Sequence, residues 1–105
     1  MKYEIVRTDT ADEGIRRIIL YVARNFGNAV ALEKLDELEK KILDLGEDPY
    51  LGTEPRYIML KRRGYKVLIV AKDLVFYKID EAQKRVIIHA VVDQRQDYLN
   101  VIRGL

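Results

Sequence analysis

Apolar residues recur along this chain in two rhythms. Between Tyr65 and Val92 they come in short runs rich in Val, Ile, Phe and Tyr: Tyr65–Ala71, Leu74–Ile79 and Val86–Val92. Polar breaks part them, Lys72-Asp73 first and then a hexapeptide from Asp80 to Arg85. Such runs predict β-strands, and a two-residue break leaves no room for a helical crossover, so the first two strands must pair antiparallel in a meander.

Upstream the period changes to that of a helix. Ile15, Ile18, Ile19, Val22 and Phe26 fall at i, i+3, i+4, i+7 and i+11, one continuous helical stripe. Thr10 and Glu13 have the spacing of a capping box at its start, and Gly27 ends it without strain. Asn28 reads as the cap of a second helix with Ala31, Leu35, Leu38, Ile42 and Leu45 on its apolar face and Gly46 as its terminator. So short a link folds the two helices into an antiparallel hairpin. Lys2 to Arg7 reads as a first strand, and 47–53 as a loop. Residues 53–63 fit either a short helix, with Pro55 at its start and Gly64 after its end, or an extra strand through Tyr57 and Met59; the proline and glycine favour the helix. Gln94 to Ile102 reads as a terminal helix on the spacing of Tyr98, Val101 and Ile102.

The fold class that follows is α+β. An antiparallel sheet of about four strands, in the order β-α-α-β-β-β-α, is backed by an N-terminal helical hairpin, all in one domain spanning 1–105. Both faces of each meander strand are apolar. Val67 and Ile69 oppose Leu68 and Val70, Leu74 and Phe76 oppose Val75 and Tyr77, and Ile88, Ala90 and Val92 oppose Ile87 and Val91. A helical hairpin covers one face only, so the other needs the terminal helix or a partner chain.

Charge sharpens this picture. The net charge is +2 over 105 residues, but its distribution is uneven. Residues 28–55 carry 3 basic and 8 acidic groups, residues 56–105 carry 11 and 5, and from Arg56 to Lys72 there are six basic residues and no acid. Segregation of this kind suits a polyanionic partner on one side, although an unevenly charged solvated surface would look the same. A chain without cysteine has no disulfide, thiolate metal site or cysteine nucleophile, which suits a reducing compartment. The charged start does not fit a signal peptide and no run reaches the length of a membrane span, so the expected location is the cytoplasm.

Little of the chemistry fits a catalytic template. His89 is the single histidine and sits among apolar strand residues, so paired-histidine metal spacing is impossible, and no phosphate loop or nucleophile elbow occurs. No metal or other cofactor is expected. The remaining candidates are basic and aromatic: Arg62, Arg63 and Lys66 entering the meander, and Arg95 and Tyr98 leaving it three residues apart. Arginine forks suit phosphate and a tyrosine can stack on a base. The plainer reading pairs Arg95 with Asp93 or Asp97 and puts Tyr98 in the core.

The order and spacing of these pieces resemble the RelE/ParE superfamily of bacterial type II toxins over nearly the whole length. The resemblance is carried by the N-terminal strand, Asn25-Phe26-Gly27 within the helical hairpin, Arg63-Gly64-Tyr65-Lys66, the run from Leu74 to Glu81, and Val86-Ile87-Ile88 followed by Arg95-Gln96-Asp97-Tyr98. It implies a growth-inhibiting toxin neutralised by a cognate antitoxin, as a homodimer or within a heterotetramer with that antitoxin. The surface implied for the antitoxin is the surplus apolar sheet, at Val75, Tyr77, Ile87, His89 and Val91. Target binding would fall to Arg62, Arg63, Lys66 and Arg95. ParE-like members poison DNA gyrase, and the hairpin wording and the Phe76-Tyr77…Arg95…Asp97 pattern look closer to them. RelE-like members cut mRNA on the ribosome without metal; on that reading Lys66, Arg95 and Tyr98 would be the catalytic candidates, with Tyr57 and Met59 standing where that family carries paired lysines. A third reading is a non-toxic module whose sole partner is the cognate chain.

Overall fold

The structure is a computed structural model that describes residues 2–94 and 103–105. Seven elements follow in order: β1 (Glu4–Arg7), α1 (Asp9–Phe26), α2 (Asn28–Glu47), α3 (Ile58–Arg62), β2 (Lys66–Val70), β3 (Asp73–Asp80) and β4 (Arg85–Asp93). The strands form one sheet in the order β1-β4-β3-β2. β2, β3 and β4 are the antiparallel meander. β1 differs from the expected all-antiparallel arrangement: it lies parallel to β4, with Glu4 opposite Arg85 and Arg7 opposite Ile88. Parallel neighbours need a long connection, and the whole intervening chain provides one.

Thr8, rather than Thr10, caps α1. Its hydroxyl oxygen accepts from the Ala11 amide at 3.1 Å, and its hydroxyl hydrogen points to the Ile88 carbonyl at 3.0 Å. The cap therefore also fastens the helix start to β4, a link that no local spacing reveals. Asp9 and Asp12 complement the positive end of the helix dipole. The buried stripe is Ala11, Ile15 and Ile18, with Ile19 and Val22 half-buried beside it; Phe26, at the far end, is 63% exposed and lies outside it. Gly14 lets α1 press on the sheet, because a Cβ there would stand 2.1 Å from the Val91 carbonyl oxygen.

Gly27 alone separates the helices, at φ 94°, and Asn28 is the first residue of α2 with no side-chain cap. α2 runs through Gly46, whose carbonyl accepts from the Tyr3 amide at 2.9 Å, and ends at Glu47. The ambiguous segment divides. Thr53 makes a single antiparallel bridge to Val67, and α3 begins only after Tyr57, so Pro55 precedes the helix rather than opening it. Ala71-Lys72 is the tight turn, with Ala71 at φ 54°, and Asp73 is the first residue of β3. The terminal helix expected from Gln94 to Ile102 lies almost wholly outside the described residues.

Two cores sandwich the sheet. On the hairpin side Ile15, Ile18, Leu38, Ile42 and Leu45 pack on Val70, Val75, Tyr77, Val86, Ile88 and Val91. On the other side Leu60 and Tyr65 pack on Val67, Phe76, Ala90 and Val92, with Leu105 beside them. The Tyr77 hydroxyl fixes the 49–52 loop by donating to the Pro49 carbonyl at 2.7 Å and accepting from the Gly52 amide at 3.1 Å. Asp73 is 1% exposed, and Lys34 of α2 reaches its carboxylate at 2.5 Å. That ion pair pins the hairpin to the β2–β3 end of the sheet.

Candidate partner-binding face

Opposite the helical hairpin the sheet is only partly covered. Strand alternation puts Val6, Ile69, Leu74, Lys78 and Ile87 on this open face. Ile69 is 57% exposed, and Ile58 and Met59 of α3 are exposed at its border. A cleft of about 340 Å³ runs between the 53–57 loop and the sheet, floored by Val67, Ile69, Leu74 and Phe76 and flanked by Glu54 and Arg56. Lys61, Arg62 and Arg63 stand exposed at the end of α3, with Lys61 paired to Glu54 at 2.9 Å. The Lys61 ammonium holds the Glu54 carboxyl below the usual carboxylate range.

A β-bulge re-aims β4. Ile88 lies opposite Tyr77 but Ala90 lies opposite Phe76, so His89 is the extra residue. Ile88 thereby stays with Val91 on the hairpin side while Ala90 and Val92 turn to the open side, which breaks the simple alternation expected for Ile88, Ala90 and Val92. The His89 ring meets Tyr65 edge-on, with centroids 5.2 Å apart, and Lys78 Nζ sits 4.4 Å from the Tyr65 centroid. Burial, seconded by the Lys78 charge, pushes the imidazole pKa down, and burial pushes the Tyr65 phenol up. His89 Nε2 is buried and has no hydrogen-bond partner among the described residues.

The residues expected to meet an antitoxin separate into two sets. Val75, Tyr77 and Val91 lie beneath the helical hairpin at 1% exposure or less, so they hold the core and offer no surface. Ile87 and His89 lie half-buried on the open face. The cationic candidates divide as well. Lys66 pairs across the ladder with Tyr77 and lies 5.5 Å from the Tyr50 ring, on the hairpin side. Arg62 and Arg63 are at the α3 end, and Arg95 and Tyr98 lie outside the described residues. Tyr57 caps α3 and Met59 lies within it, rather than on a strand. Among the described residues no group of three His, Cys, Asp or Glu side chains has the arrangement of a metal site. Lys78 and Tyr65 do not stand out as site residues in the sequence, because the bulge that brings His89 to them leaves no mark in the apolar pattern.

Residues 5–98 match the family described as the ParE toxin of the type II toxin–antitoxin system parDE. The chain belongs to the ParE toxin family. It is the toxin of a type II toxin–antitoxin module, and its fold agrees. It superposes on a chain of the chromosomal ParDE system of P. aeruginosa with a TM-score of 0.72 at 12% identity, covering 88% of this chain and 96% of that one. The free E. coli RelE toxin, in a mutant form, gives 0.62 at 16% identity over all of both chains. The RelBE2 toxin–antitoxin complex of Mycobacterium tuberculosis gives 0.57 at 19% identity, over 89% of this chain and 99% of that one. No curated protein matches this ParE-family chain in sequence. No helix among its described residues is long and apolar enough to cross a membrane.

Proposed function

We propose that this toxin arrests growth by binding DNA gyrase, without cutting RNA, and that its cognate antitoxin neutralises it by covering the open sheet face. The observation that carries the first part is the division of the cations. Cleavage of a ribose phosphate needs a base, an acid and a cation converging on one 2′-hydroxyl and one leaving oxygen. Lys66 lies on the hairpin side of the sheet whereas Lys78 and His89 lie on the open side, so these three described groups do not gather at one phosphate; Arg95 and Tyr98, the other ribonuclease candidates, lie outside the described residues. Membership of the ParE family supports the same reading. The second part rests on Ile69, Ile87 and the border of α3, an apolar strip flanked by Arg56, Arg62 and Arg63.

Purified toxin added to a gyrase supercoiling assay tests the first part, alongside primer-extension mapping of transcripts from cells expressing it. Loss of supercoiling with intact transcripts is the expected result. Transcripts cut at defined codons with supercoiling unaffected would replace gyrase by ribosome-bound mRNA as the target.

A further inference from the structure

The bulge at His89 leaves an incomplete polar site on an otherwise apolar face. Lys78 is half-buried, and its ammonium rests on the Tyr65 ring with no ion pair among the described residues. His89 Nε2 is buried with no hydrogen-bond partner among the described residues, and the Tyr65 ring contacts both the imidazole and that cation. A polar nitrogen withdrawn from water costs free energy unless a hydrogen-bond partner completes it, and the half-buried ammonium beside it favours an anionic neighbour. Ile87, directly across from Lys78, borders the site with apolar surface.

We propose that the Lys78 ammonium, seated on the Tyr65 ring with His89 beside it, anchors one carboxylate side chain of the antitoxin. The inference rests on the reading that the antitoxin covers this face, and it names the anchor within that cover. The observations favour a carboxylate on a protein over a nucleic-acid phosphate. A nucleic acid is held by a row of cations following its backbone. Here one ammonium sits among Ile87, Phe76 and Ala90, the setting for a single acid flanked by apolar side chains. Lys78 supplies the charge, and the face of the Tyr65 ring holds its ammonium in place.

The imidazole supplies the signature. The groups facing it among the described residues are Lys78 from β3 and Tyr65 ahead of β2, with Arg63 acting on Tyr65 from the end of α3; Arg7 of β1 turns instead to Asp12 and Glu39. All that face it are cationic or neutral, and together with burial they favour the neutral imidazole in the free toxin. A carboxylate beside it favours the imidazolium, so docking takes up a proton. Affinity therefore rises as pH falls into the window between the free and bound values, the free one lying below the ordinary histidine range.

The probes are the cognate antitoxin, and acetate. The antitoxin Kd is measured from pH 7.5 to 5.5 for the wild-type toxin, His89→Gln, Lys78→Met and Ile87→Asp. Expected are tighter binding at low pH for the wild type, a smaller gain for His89→Gln, and a loss of about tenfold or more for Lys78→Met. Because the chain has one histidine, its imidazole NMR signal reports the titration directly; acetate in place of chloride at equal ionic strength should raise its midpoint. If Ile87→Asp binds the antitoxin like the wild type, the antitoxin does not use this face and the reading beneath the inference falls. If Ile87→Asp abolishes binding while His89→Gln keeps the full pH dependence and acetate moves nothing, that reading stands and the carboxylate anchor is refuted. A single-stranded RNA oligonucleotide that shifts the His89 signal, with antitoxin binding indifferent to Lys78→Met, would overturn it in favour of nucleic acid.

Discussion

Lys34→Met removes the ammonium that pairs with the Asp73 carboxylate and keeps most of the side-chain volume. Asp73 is 1% exposed and Lys34 18%, so the pair is shielded from water at the acid end and partly open at the base end. Breaking a buried pair by deleting one partner costs about 3–5 kcal/mol, and the partial exposure of Lys34 places this one near 3. At roughly 4 °C or more per kcal/mol for a domain of this size, Tm should fall by about 12 °C or more. Burial raises the Asp73 pKa more strongly than Lys34 lowers it, and Asp93 and Glu37 add to the rise. With its folded pKa above the unfolded one, Asp73 opposes folding while ionised, and that penalty is relieved as pH falls through the folded pKa. The variant's deficit should therefore be largest at pH 7 and shrink toward pH 5. Adding Asp73→Leu to Lys34→Met removes the stranded charge and should recover most of the loss. Urea unfolding followed by circular dichroism at pH 7 and pH 5 measures all three proteins. A deficit under about 1 kcal/mol at pH 7, or one that grows on acidification, would refute the reasoning.

Tyr77→Phe strands the Pro49 carbonyl and the Gly52 amide beneath the loop and should cost about 1–3 kcal/mol in the same unfolding assay. Gly14→Ala drives a methyl into the Val91 carbonyl and should cost at least as much as overpacking usually does, about 1–3 kcal/mol. A fully stable Gly14→Ala protein would show that α1 does not sit so close to β4. Lys66→Ala should leave gyrase inhibition within a few-fold of wild type, because the side chain lies on the hairpin side beside Tyr50; abolished toxicity at equal expression would bring Lys66 back as a site residue.

Where apolar periodicity alone decides structure, the sequence and the fold agree. The two helices and the three meander strands stand close to where their stripes and runs put them, because core burial sets them. The departures come from contacts made across the chain. Thr8 caps α1 because the same hydroxyl can reach Ile88 of β4, an advantage Thr10 lacks and local spacing does not encode. Asp73 looks like turn chemistry, yet it opens β3 because Lys34 of α2 is there to meet it. The bulge at His89 hides in an apolar run, and it sets which residues of β4 lie on the open face. Apolar alternation does not say which face of the meander the hairpin covers, so Val75, Tyr77 and Val91 read as surface while the structure buries them; the bulge then parts Val91 from Ile87 and His89.

Growth is the most direct readout of the central claim that this chain is a toxin held in check by a partner. Cells induced for the chain alone should stop dividing, and cells induced for it together with its cognate antitoxin should grow normally. Unhindered growth with the chain alone, at protein levels confirmed by immunoblot, would contradict the account and leave a non-toxic binding module in its place.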